Sequence, residues 1–417
     1  MSDASDAPAQ PAAAEEVSQS VAEEITQQAA NLTRGAVDSL PEGALADKLA
    51  VAQAEGRQLR VKLGIDPTAP DIHLGHAVVL GKLREFQDAG QRVVLIVGDF
   101  TARVGDPSGR SSLRPVLSED EIEVNAKTFQ EQAARILDRD PERLEVRRNG
   151  EWLDMGMDGL LKLARTTTVA QLLEREDFSQ RWSASQPISM LELLYPLLQG
   201  YDSVAVRADV ELGGTDQKFN LLLGRDVQRA YGQPEQAILT MPILAGTDGR
   251  RKMSKSLNNQ IGITDAPEEM YGKTMSIPDE ALDDYYRLLL RRDIPAELSP
   301  RDAKRLLARE LVGWLHSPER AEEAERHFDR VFVERQEPKR IPEAAVRGDG
   351  EGRVHLPAVM AEELGMSRSE ARRLIDQGGV ALGGSQLQAG EHDVAAERAD
   401  GQVLRVGKRR FLRLRAG

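Results

Sequence analysis

The chain has 417 residues, which is enough for two to four domains of ordinary size. Apolar residues make up 40% and charged residues 29%, and no apolar run approaches the roughly 20 residues of a membrane helix, so we expect a protein that stays in water. The absence of cysteine excludes disulfides, thiolate nucleophiles and Cys-based metal sites. The acidic amino terminus lacks the pattern of an export signal, and we expect a cytoplasmic location.

The net charge of −13 is unevenly distributed along the chain. Residues 353–417 carry eleven Lys or Arg against eight Asp or Glu, a local balance of +3, which leaves −16 for residues 1–352. A small basic module therefore follows an acidic body. Residues 341–352, within a stretch rich in Pro, Gly and charge, are expected to form the linker between them.

Residues 1–34 are expected to form an acidic tail that is disordered or partly helical, with a short helix over Val17–Leu32. From residue 35 to residue 260, strand-like and helix-like stretches alternate, which favours an α/β domain with a parallel sheet covered by helices. The predicted elements are a strand at Leu59–Ile65, a helix at Gly75–Ala89, strands at Arg92–Val97 and Val204–Ala208, and a helix that begins near Asp216.

Residues 261–340 have a helical pattern almost throughout. The apolar positions expected in their core are Leu288, Leu289, Leu290, Leu306, Leu307, Leu311 and Trp314. In the basic module, Leu364–Ile375 is predicted to be a capped helix and Val380 to begin a strand, which indicates a small α+β fold.

His73-Leu74-Gly75-His76 forms the first chemical motif, at the point where a loop after a strand gives way to a helix. A helix amino terminus presents free N–H groups and a positive dipole to phosphate, and two imidazoles three residues apart can both donate toward a phosphate chain. Taken alone, the motif is equally consistent with two surface histidines around a packing glycine.

Lys252-Met253-Ser254-Lys255-Ser256 forms the second motif and follows a glycine-bearing loop. Four basic side chains lie between Arg250 and Lys255, and such a loop can close on a triphosphate. A solvated basic turn is the commoner fate of a charge run, but an unrelated sequence would not be expected to match both motifs in order.

The two motifs resemble HIGH and KMSKS, the signatures of class I aminoacyl-tRNA synthetases, with Leu74 in place of isoleucine. From about residue 35 to the carboxyl terminus the chain resembles the bacterial tyrosyl-tRNA synthetases. The blocks that carry this resemblance are Gly64-Ile65-Asp66-Pro67-Thr68, Gly105-Asp106-Pro107-Ser108-Gly109, the YxxxQxxD block from Tyr195 to Asp202, and Gly213-Gly214-Thr215-Asp216-Gln217.

The resemblance implies a domain organisation. Residues 35–260 would form a Rossmann-type doubly wound catalytic domain, in which a connective insertion at about 115–195 makes the contact of a homodimer. Residues 261–340 would form an α-helical domain on the anticodon side of the tRNA, and residues 353–417 an S4-like RNA-binding domain.

The resemblance also implies roles for individual residues. Asp106, Tyr195 and Gln199 would hold the ammonium group of tyrosine, Asp202 would read its phenolic hydroxyl and Gln217 would lie near its carboxylate. The residues that would bind ATP are Gly64, Asp66, Thr68, His73, Gly75, His76, Gly214, Asp216, Lys252, Ser254 and Lys255. A phenol in an apolar pocket does need a buried acceptor, which phenylalanine would leave unpaired.

Lys62 departs from the family pattern, since many members have a tyrosine at this position that touches the substrate hydroxyl. A lysine cannot accept a hydrogen bond from the phenol, but it can donate to the phenol or pair with Asp202. We therefore include Lys62 among the expected tyrosine-binding residues.

The implied reaction is attack of the tyrosine carboxylate on the α-phosphorus of ATP, followed by transfer of tyrosine to the terminal ribose of tRNA(Tyr). His73, His76, Lys252 and Lys255 are the expected catalytic donors, and they act by stabilising charge on the phosphates. Mg²⁺ would accompany the triphosphate, and no carboxylate cluster in the sequence specifies a metal held by the protein.

The basic module resembles the S4 RNA-binding domain, which implies contacts to tRNA phosphates. The residues expected to make them are Arg368, Arg372, Arg373, Lys408, Arg409 and Arg410. We expect neither a DNA nor a membrane partner.

Three other functions share part of this pattern. A nucleotidylyltransferase would have the HxGH site but no reason for the YxxxQxxD block or an RNA module. A silent RNA-binding relative would keep the fold and lose motif residues, which here are intact. A tryptophanyl-tRNA synthetase is the nearest competitor, and its pocket would not need Asp202 to face a phenol.

Overall fold

The computed structural model describes residues 11–68, 71–107, 118–333, 341–346, 348–350, 352–407 and 410–416. The chain divides between Leu315 and His316 into two compact units. None of the helices in these described ranges has the length and apolar character that a membrane crossing requires.

A six-stranded sheet forms the centre of the first unit. Its strands are β1 Asp38–Leu40, β2 Arg60–Ile65, β3 Arg92–Val97, β4 Leu144–Arg148, β5 Val210–Gly214 and β6 Ala237–Met241. They lie in the order β1-β6-β5-β2-β3-β4, and all neighbours are parallel except β1 and β6. The side chains of Val93 to Val97 are all buried, as expected for an inner strand of a parallel sheet with both faces covered.

Helices surround this sheet in the manner of a doubly wound Rossmann-type fold. Those of the first unit are α1 Pro11–Thr33, α2 Ala44–Ala54, α3 Leu74–Asp88, α4 Thr101–Val104, α5 Glu119–Ala133, α6 Gly150–Leu153, α7 Gly156–Ala164, α8 Val169–Leu172, α9 Glu176–Ser183, α10 Met190–Ala205, α11 Lys218–Ala230, α12 Pro267–Met275, α13 Leu282–Tyr285 and α14 Pro300–Leu315. Short 3₁₀ turns cover Thr215–Gln217, Lys255–Leu257 and Asp279–Ala281, and a π-helical turn covers Tyr286–Leu290.

The second unit is a small α+β structure that fits an S4-like module. Its helices are α15 Pro318–Phe328, α16 Leu356–Leu364, α17 Arg368–Asp376 and α18 Ala396–Ala399, with a π-helical turn at Asp329–Val333. Its strands are β7 Glu343–Val346, β8 Arg353–His355, β9 Val380–Leu382, β10 Ser385–Gln386, β11 Asp393–Ala395, β12 Val403–Val406 and β13 Arg410–Ala416. One sheet has the order β10-β9-β12-β13-β7, and β8 pairs with β11.

Several predicted elements agree with these bounds. The strands at Arg60–Ile65 and Arg92–Val97 and the helix at Leu74–Asp88 lie within a residue of their expected ends. The short amino-terminal helix lies inside the longer α1. In the second unit, the helix predicted at Leu364–Ile375 starts later, at Arg368, because Leu364 ends α16 and Gly365 has a left-handed φ of 67°. The Ser367 hydroxyl accepts from the backbone N–H of Glu370 and caps α17.

Two predictions about the core and the sheet are wrong. The run Val204–Ala208 is not a strand, because Val204 and Ala205 end α10 and the next strand begins at Val210. Val206 and Ala208 pack against the apolar side chains of β3, so the run is apolar because a helix end and a turn are buried there. Trp314 is 38% exposed rather than a core residue, whereas the neighbouring Leu315 is buried.

Candidate active site

The chain crosses over in the sheet between β2 and β5. From β2 the strand order runs outward through β3 and β4, and from β5 it runs in the opposite direction through β6. In open α/β sheets, ligands bind beyond the carboxyl ends of the strands at this point. Asp66 follows β2 and the turn Thr215–Gln217 follows β5, so two predicted substrate blocks meet at this edge.

The two histidines of the first motif stack at the start of α3. Their ring centroids lie 4.0 Å apart, and the backbone N–H of His73 donates to Nδ1 of His76 at 3.3 Å. Because Nδ1 of His76 accepts, the proton of the neutral ring lies on Nε2. Burial lowers the pKa of His73 to about 3 and that of His76 to about 4, so both rings are neutral donors near pH 7.

The His73 ring is closely packed against the turn at Gly75. Within the described residues, its Nδ1 atom is buried without a hydrogen-bond partner. A Cβ atom on Gly75 would lie 3.0 Å from Cε1 and Nδ1 of this ring. Any side chain at residue 75 would therefore crowd the imidazole, which explains the requirement for glycine in the motif.

Backbone hydrogen bonds join the histidine turn to the segment at residues 261–263 that follows the second motif. The N–H of Leu74 donates to the carbonyl of Ile261 at 2.9 Å, and the N–H of Ile263 donates to the carbonyl of Ile72 at 3.0 Å. These bonds flank an antiparallel bridge between His73 and Gly262. The loop with the two lysines therefore ends against the histidine turn.

Asn259 holds this loop together, a role that sequence reasoning missed. It is 3% exposed, and its Oδ1 accepts from the backbone N–H of Ser254 at 2.8 Å. Its Nδ2 donates to the Lys252 carbonyl and to Asp248 Oδ2, each at 3.1 Å. A Cβ atom on Gly246 would lie 2.3 Å from its amide carbon, so the preceding turn has no room for a side chain.

Both lysines of the second motif are exposed, and each has an acidic neighbour. Lys255 Nζ lies 2.5 Å from Asp71 Oδ2. Burial raises the pKa of Asp216 above its usual value, and the positive charge of Lys252 opposes that shift. The Ser254 and Ser256 hydroxyl oxygens lie 2.9 Å apart.

The Asp66 carboxylate connects the predicted ATP residues to the predicted tyrosine residues. Its Oδ1 accepts from the Thr101 hydroxyl at 2.6 Å and its Oδ2 from the Tyr195 hydroxyl at 2.9 Å. Burial and the neighbouring Asp66 charge raise the pKa of Tyr195 well above its ordinary value, so its hydroxyl remains a donor. The backbone N–H of Thr68 donates to the Asp66 carbonyl at 2.7 Å.

Asp202 lies inside α10 and is 3% exposed. Its Oδ1 accepts from the Trp152 indole N–H at 2.8 Å, and its Oδ2 accepts from Asn149 Nδ2 at 3.4 Å. Burial raises the pKa of Asp202 to about 6 against the opposing effect of Lys62 and these two donors. A carboxylate has about four acceptor positions, so capacity for a substrate hydroxyl remains.

Lys62 pairs with Glu211 rather than with Asp202. It is fully buried, with Nζ 2.8 Å from Glu211 Oε1, and it donates to the Ser203 hydroxyl at 2.8 Å and the Gln199 carbonyl at 3.0 Å. Its three donors therefore already have acceptors. Lys62 therefore belongs to a polar network with Glu211, Ser203 and Gln199. Its positive charge still lies close enough to lower the pKa of Asp202.

The residues expected around the ammonium and carboxylate of tyrosine also form a network. Gln217 Nε2 donates to Asp106 Oδ2 at 3.0 Å, and Arg175 Nη2 lies 3.7 Å from Asp106 Oδ1. Asn220 Nδ2 donates to Gln199 Oε1 at 3.0 Å and to Gln217 Oε1 at 2.9 Å. Arg175 and Asn220 were not singled out from the sequence.

The glycines expected at the ATP site lie at the two strand ends. Gly64 is exposed near the end of β2, and a Cβ atom there would meet no atom within 4 Å. A Cβ atom on Gly214 would lie 2.7 Å from Asp216 Oδ1. Ser108 and Gly109 of the Asp106 block lie outside the described residues.

The residues expected to contact tRNA lie in the second unit. Arg368, Arg372 and Arg373 are exposed on α17, and Arg410 begins β13 and is exposed. Lys408 and Arg409 lie outside the described residues. Across the described ranges, the side chains form no group of three or more His, Cys, Asp or Glu that could hold a metal ion.

The parallel sheet with its crossover, the histidine turn and the lysine loop define a Rossmann-type enzyme that acts on a nucleotide. A family model for class I tRNA synthetases (W and Y) matches residues 54–333, and the chain belongs to this family.

Comparison with individual proteins narrows this class. The chain is 51% identical over 405 residues to a tyrosine–tRNA ligase of Moorella thermoacetica, covering 94% of this chain and 96% of that protein. It is 50% identical over 401 residues to a tyrosine–tRNA ligase of Thermotoga maritima, covering 93% and 96%.

Solved structures confirm the fold. A truncated mitochondrial tyrosyl-tRNA synthetase of Aspergillus nidulans superposes with a TM-score of 0.60 at 21% identity, covering 75% of this chain and all of that one. The tyrosyl-tRNA synthetase of Archaeoglobus fulgidus, complexed with L-tyrosine, superposes with a TM-score of 0.58 at 24% identity, covering 72% and 99%.

Proposed function

We propose that the chain is a tyrosine–tRNA ligase that makes tyrosyl-adenylate and pyrophosphate from tyrosine and ATP, then transfers tyrosine to the terminal ribose of tRNA(Tyr). The observation that carries this proposal is identity of about half of all residues, along more than nine-tenths of the chain, to proteins named tyrosine–tRNA ligase. The family as a whole handles tryptophan and tyrosine, and this identity favours tyrosine.

The first step requires groups that stabilise charge on the phosphates rather than a covalent intermediate. We propose that the neutral rings of His73 and His76 donate to the phosphates, with Lys252 and Lys255 supplying positive charge from the loop. Support comes from the backbone bonds that bring this loop to the histidine turn. Mg²⁺ would enter with the triphosphate as part of the substrate.

Tyrosine is proposed to bind at the same crossover of the sheet. Asp106, Tyr195, Gln199 and Gln217 would hold the amino-acid group, and Asp202 would accept from the phenol. The support is the placement of these side chains in two sets of hydrogen bonds. Asn220 links Gln199 to Gln217, which donates to Asp106. Tyr195 donates to Asp66, which is linked to Asp202 through Thr101 and Asn149. Lys62 would act on the phenol only through the charge it places near Asp202.

Aminoacylation by the full-length chain tests this function. Labelled tyrosine should be attached to tRNA(Tyr) when ATP is present, and labelled tryptophan should not be attached to tRNA(Trp) under the same conditions. Charging of tRNA(Trp) with tryptophan would assign the chain to the other branch of its family.

We further propose that the enzyme is a homodimer that uses its insertion at about 115–195 for the subunit contact. Six of the thirteen large apolar side chains that are exposed in the described residues lie between Gly156 and Leu191. They are Met157, Leu161, Val169, Trp182, Met190 and Leu191. Such a concentration is typical of a protein interface.

Sedimentation of a charge variant tests the dimer. Trp182→Glu combined with Met190→Glu should convert a dimer of the full chain to a monomer, because each change would bury a charge in an apolar contact. Val51→Glu, at a 48% exposed position on α2, is the control and should leave the mass unchanged. A wild-type protein that sediments as a monomer would contradict the proposal.

The second unit is proposed to bind tRNA through α17. Its support is the three exposed arginines Arg368, Arg372 and Arg373 on one short helix. We also propose that residues 261–340 form a helical domain on the anticodon side of the tRNA, that residues 341–352 form a linker and that residues 353–417 form an S4-like domain. The boundary between the two compact units lies earlier in the chain, between Leu315 and His316, within the proposed helical domain.

A further inference from the structure

We propose that Asn220 is a positioning residue that fixes the orientation of Gln199 and Gln217 and thereby sets the affinity of the site for tyrosine. This inference rests on the tyrosine-binding roles proposed above. Asn220 is 1% exposed and lies in the first turn of α11, three residues after Gln217. It contacts both glutamines and an arginine through a single side-chain amide.

Arg175 determines which group donates and which accepts in each hydrogen bond of this cluster. A guanidinium group can only donate, so the atom of Asn220 that lies 3.2 Å from Arg175 Nη1 must be its oxygen. The amide nitrogen of Asn220 must then face the glutamines. Its Nδ2 accordingly donates to Gln199 Oε1 at 3.0 Å and to Gln217 Oε1 at 2.9 Å.

Fixing the two glutamine oxygens also fixes the two glutamine nitrogens. Gln217 Nε2 is directed to Asp106 Oδ2 at 3.0 Å, and Gln199 Nε2 is directed to Glu211 Oε1 at 3.4 Å. Both contacts join an amide donor to a carboxylate acceptor. Rotation of either amide by half a turn would set two oxygens against each other.

The cluster holds Asp106 from two sides. Arg175 Nη2 lies 3.7 Å from Asp106 Oδ1, while Gln217 donates to Oδ2. Arg175 is itself only 6% exposed, so its charge is poorly screened. Asn220 therefore connects the proposed acceptor of the substrate ammonium to both glutamines, and its hydrogen bonds to Arg175, Gln199 and Gln217 lie apart from the residues expected to bind the phosphates.

Asn220→Asp tests this inference because it preserves the shape and the contact with Arg175 but removes both donors. We expect the glutamine amides to turn toward the new carboxylate, which would place an oxygen against Asp106. The KM for tyrosine in tyrosine-dependent exchange of pyrophosphate into ATP should rise at least tenfold, while the KM for ATP changes less than twofold. Asn220→Ala should also raise the KM for tyrosine without affecting that for ATP.

Gln87→Ala is the matched control for loss of a buried amide. Gln87 is fully buried near the end of α3, where it bonds the backbone of Asp138 and Arg143. This control should lower thermal stability and leave both KM values unchanged.

Two outcomes separate failure of the inference from failure of the proposed function. An active wild type, with the KM for tyrosine of both Asn220 variants within twofold of the wild-type value or with equal rises for tyrosine and ATP, would overturn the positioning role. A wild type without tyrosine-dependent exchange would overturn the function on which the inference rests.

Discussion

The indole N–H of Trp152 donates to Oδ1 of Asp202 at 2.8 Å, and this bond joins the segment after β4 to the last turn of α10. A buried carboxylate is costly unless donors compensate for its lost hydration. Trp152 and Asn149 supply two such donors, yet burial still raises the pKa of Asp202 to about 6. The affinity for tyrosine should therefore depend on residues that hold Asp202 as well as on Asp202 itself.

Replacement of Trp152 by Phe removes the indole donor and keeps an aromatic ring. A hydrogen bond to a charged group contributes about 1.5–3 kcal/mol, so we expect the KM for tyrosine to rise roughly tenfold or more. The measurement is tyrosine-dependent pyrophosphate exchange at pH 7.5. Trp314→Phe, at a 38% exposed position on α14, serves as the control and should behave like the wild type. An unchanged KM in Trp152→Phe would show that the indole bond does not support tyrosine binding.

The pH dependence of kcat/KM for tyrosine should report the ionisation of Asp202. Below about pH 6 its carboxyl group is protonated and is a weaker acceptor for the phenol, so kcat/KM should fall as the pH decreases through 6. Asp202→Asn cannot titrate and should lose this step, with a lower value throughout. A wild-type profile that is flat between pH 5 and 7 would contradict the assignment.

The raised pKa of Asp202 also makes the stability of the fold depend on pH, in the direction opposite to that of kcat/KM. The pKa of Asp202 is higher in the folded protein than its usual 3.8, so protonation favours the folded state. Its contribution to the free energy of unfolding is present below about pH 4 and is lost as the pH rises through 6. Urea unfolding of wild type and Asp202→Asn should therefore show a difference that grows over this interval. If the free energies of unfolding of the two proteins change with pH in parallel, this contribution of Asp202 is excluded.

Lys255→Ala should cut adenylate formation severely and leave tyrosine binding nearly unchanged. The lysine lies on the loop near the histidine turn, where its charge should matter most as pyrophosphate separates. Loss of its exposed ion pair with Asp71 should cost little stability. Single-turnover formation of tyrosyl-adenylate and equilibrium binding of tyrosine provide the two measurements. Lys127→Ala, exposed on α5, is the control, and equal losses of binding and rate in Lys255→Ala would contradict the prediction.

Changing Arg368, Arg372 and Arg373 together to Gln should raise the KM for tRNA and leave adenylate formation unchanged. Neutralising phosphate contacts also reduces the dependence of binding on salt concentration. The triple change to Lys keeps the charge and should retain most of that salt dependence. The measurement is tRNA charging between about 50 and 200 mM salt. Identical salt dependence in the Gln variant would place the RNA contacts elsewhere.

The sequence predicted the parts of the fold that depend on local pattern. The histidine turn, the first two strands of the parallel sheet and the helix after the histidine turn follow from residue order alone. The strand predicted at Val204–Ala208 was wrong because a short apolar run has the same pattern in a helix end, a buried turn and a strand.

The side-chain network of the site could not be predicted in the same way. Trp152 lies 50 residues before Asp202 and Arg175 lies 45 residues before Asn220, and neither Trp152 nor Arg175 belongs to a motif that defines its contact. The partner of Lys62 likewise could not be predicted, because it depends on the register of β2 and β5, which places Glu211 opposite Lys62. A lysine inside a strand indicates a buried ion pair only when the opposing carboxylate is known.

The most direct measurement is exchange of labelled pyrophosphate into ATP by the full-length chain, tested separately with each of the twenty amino acids. Tyrosine should support exchange, phenylalanine should support it far more weakly because Asp202 would lack its hydroxyl partner, and Asp202→Ala should reduce that difference. Exchange with tryptophan in place of tyrosine would contradict the assigned specificity, and exchange with none of the twenty would contradict the enzymatic account itself.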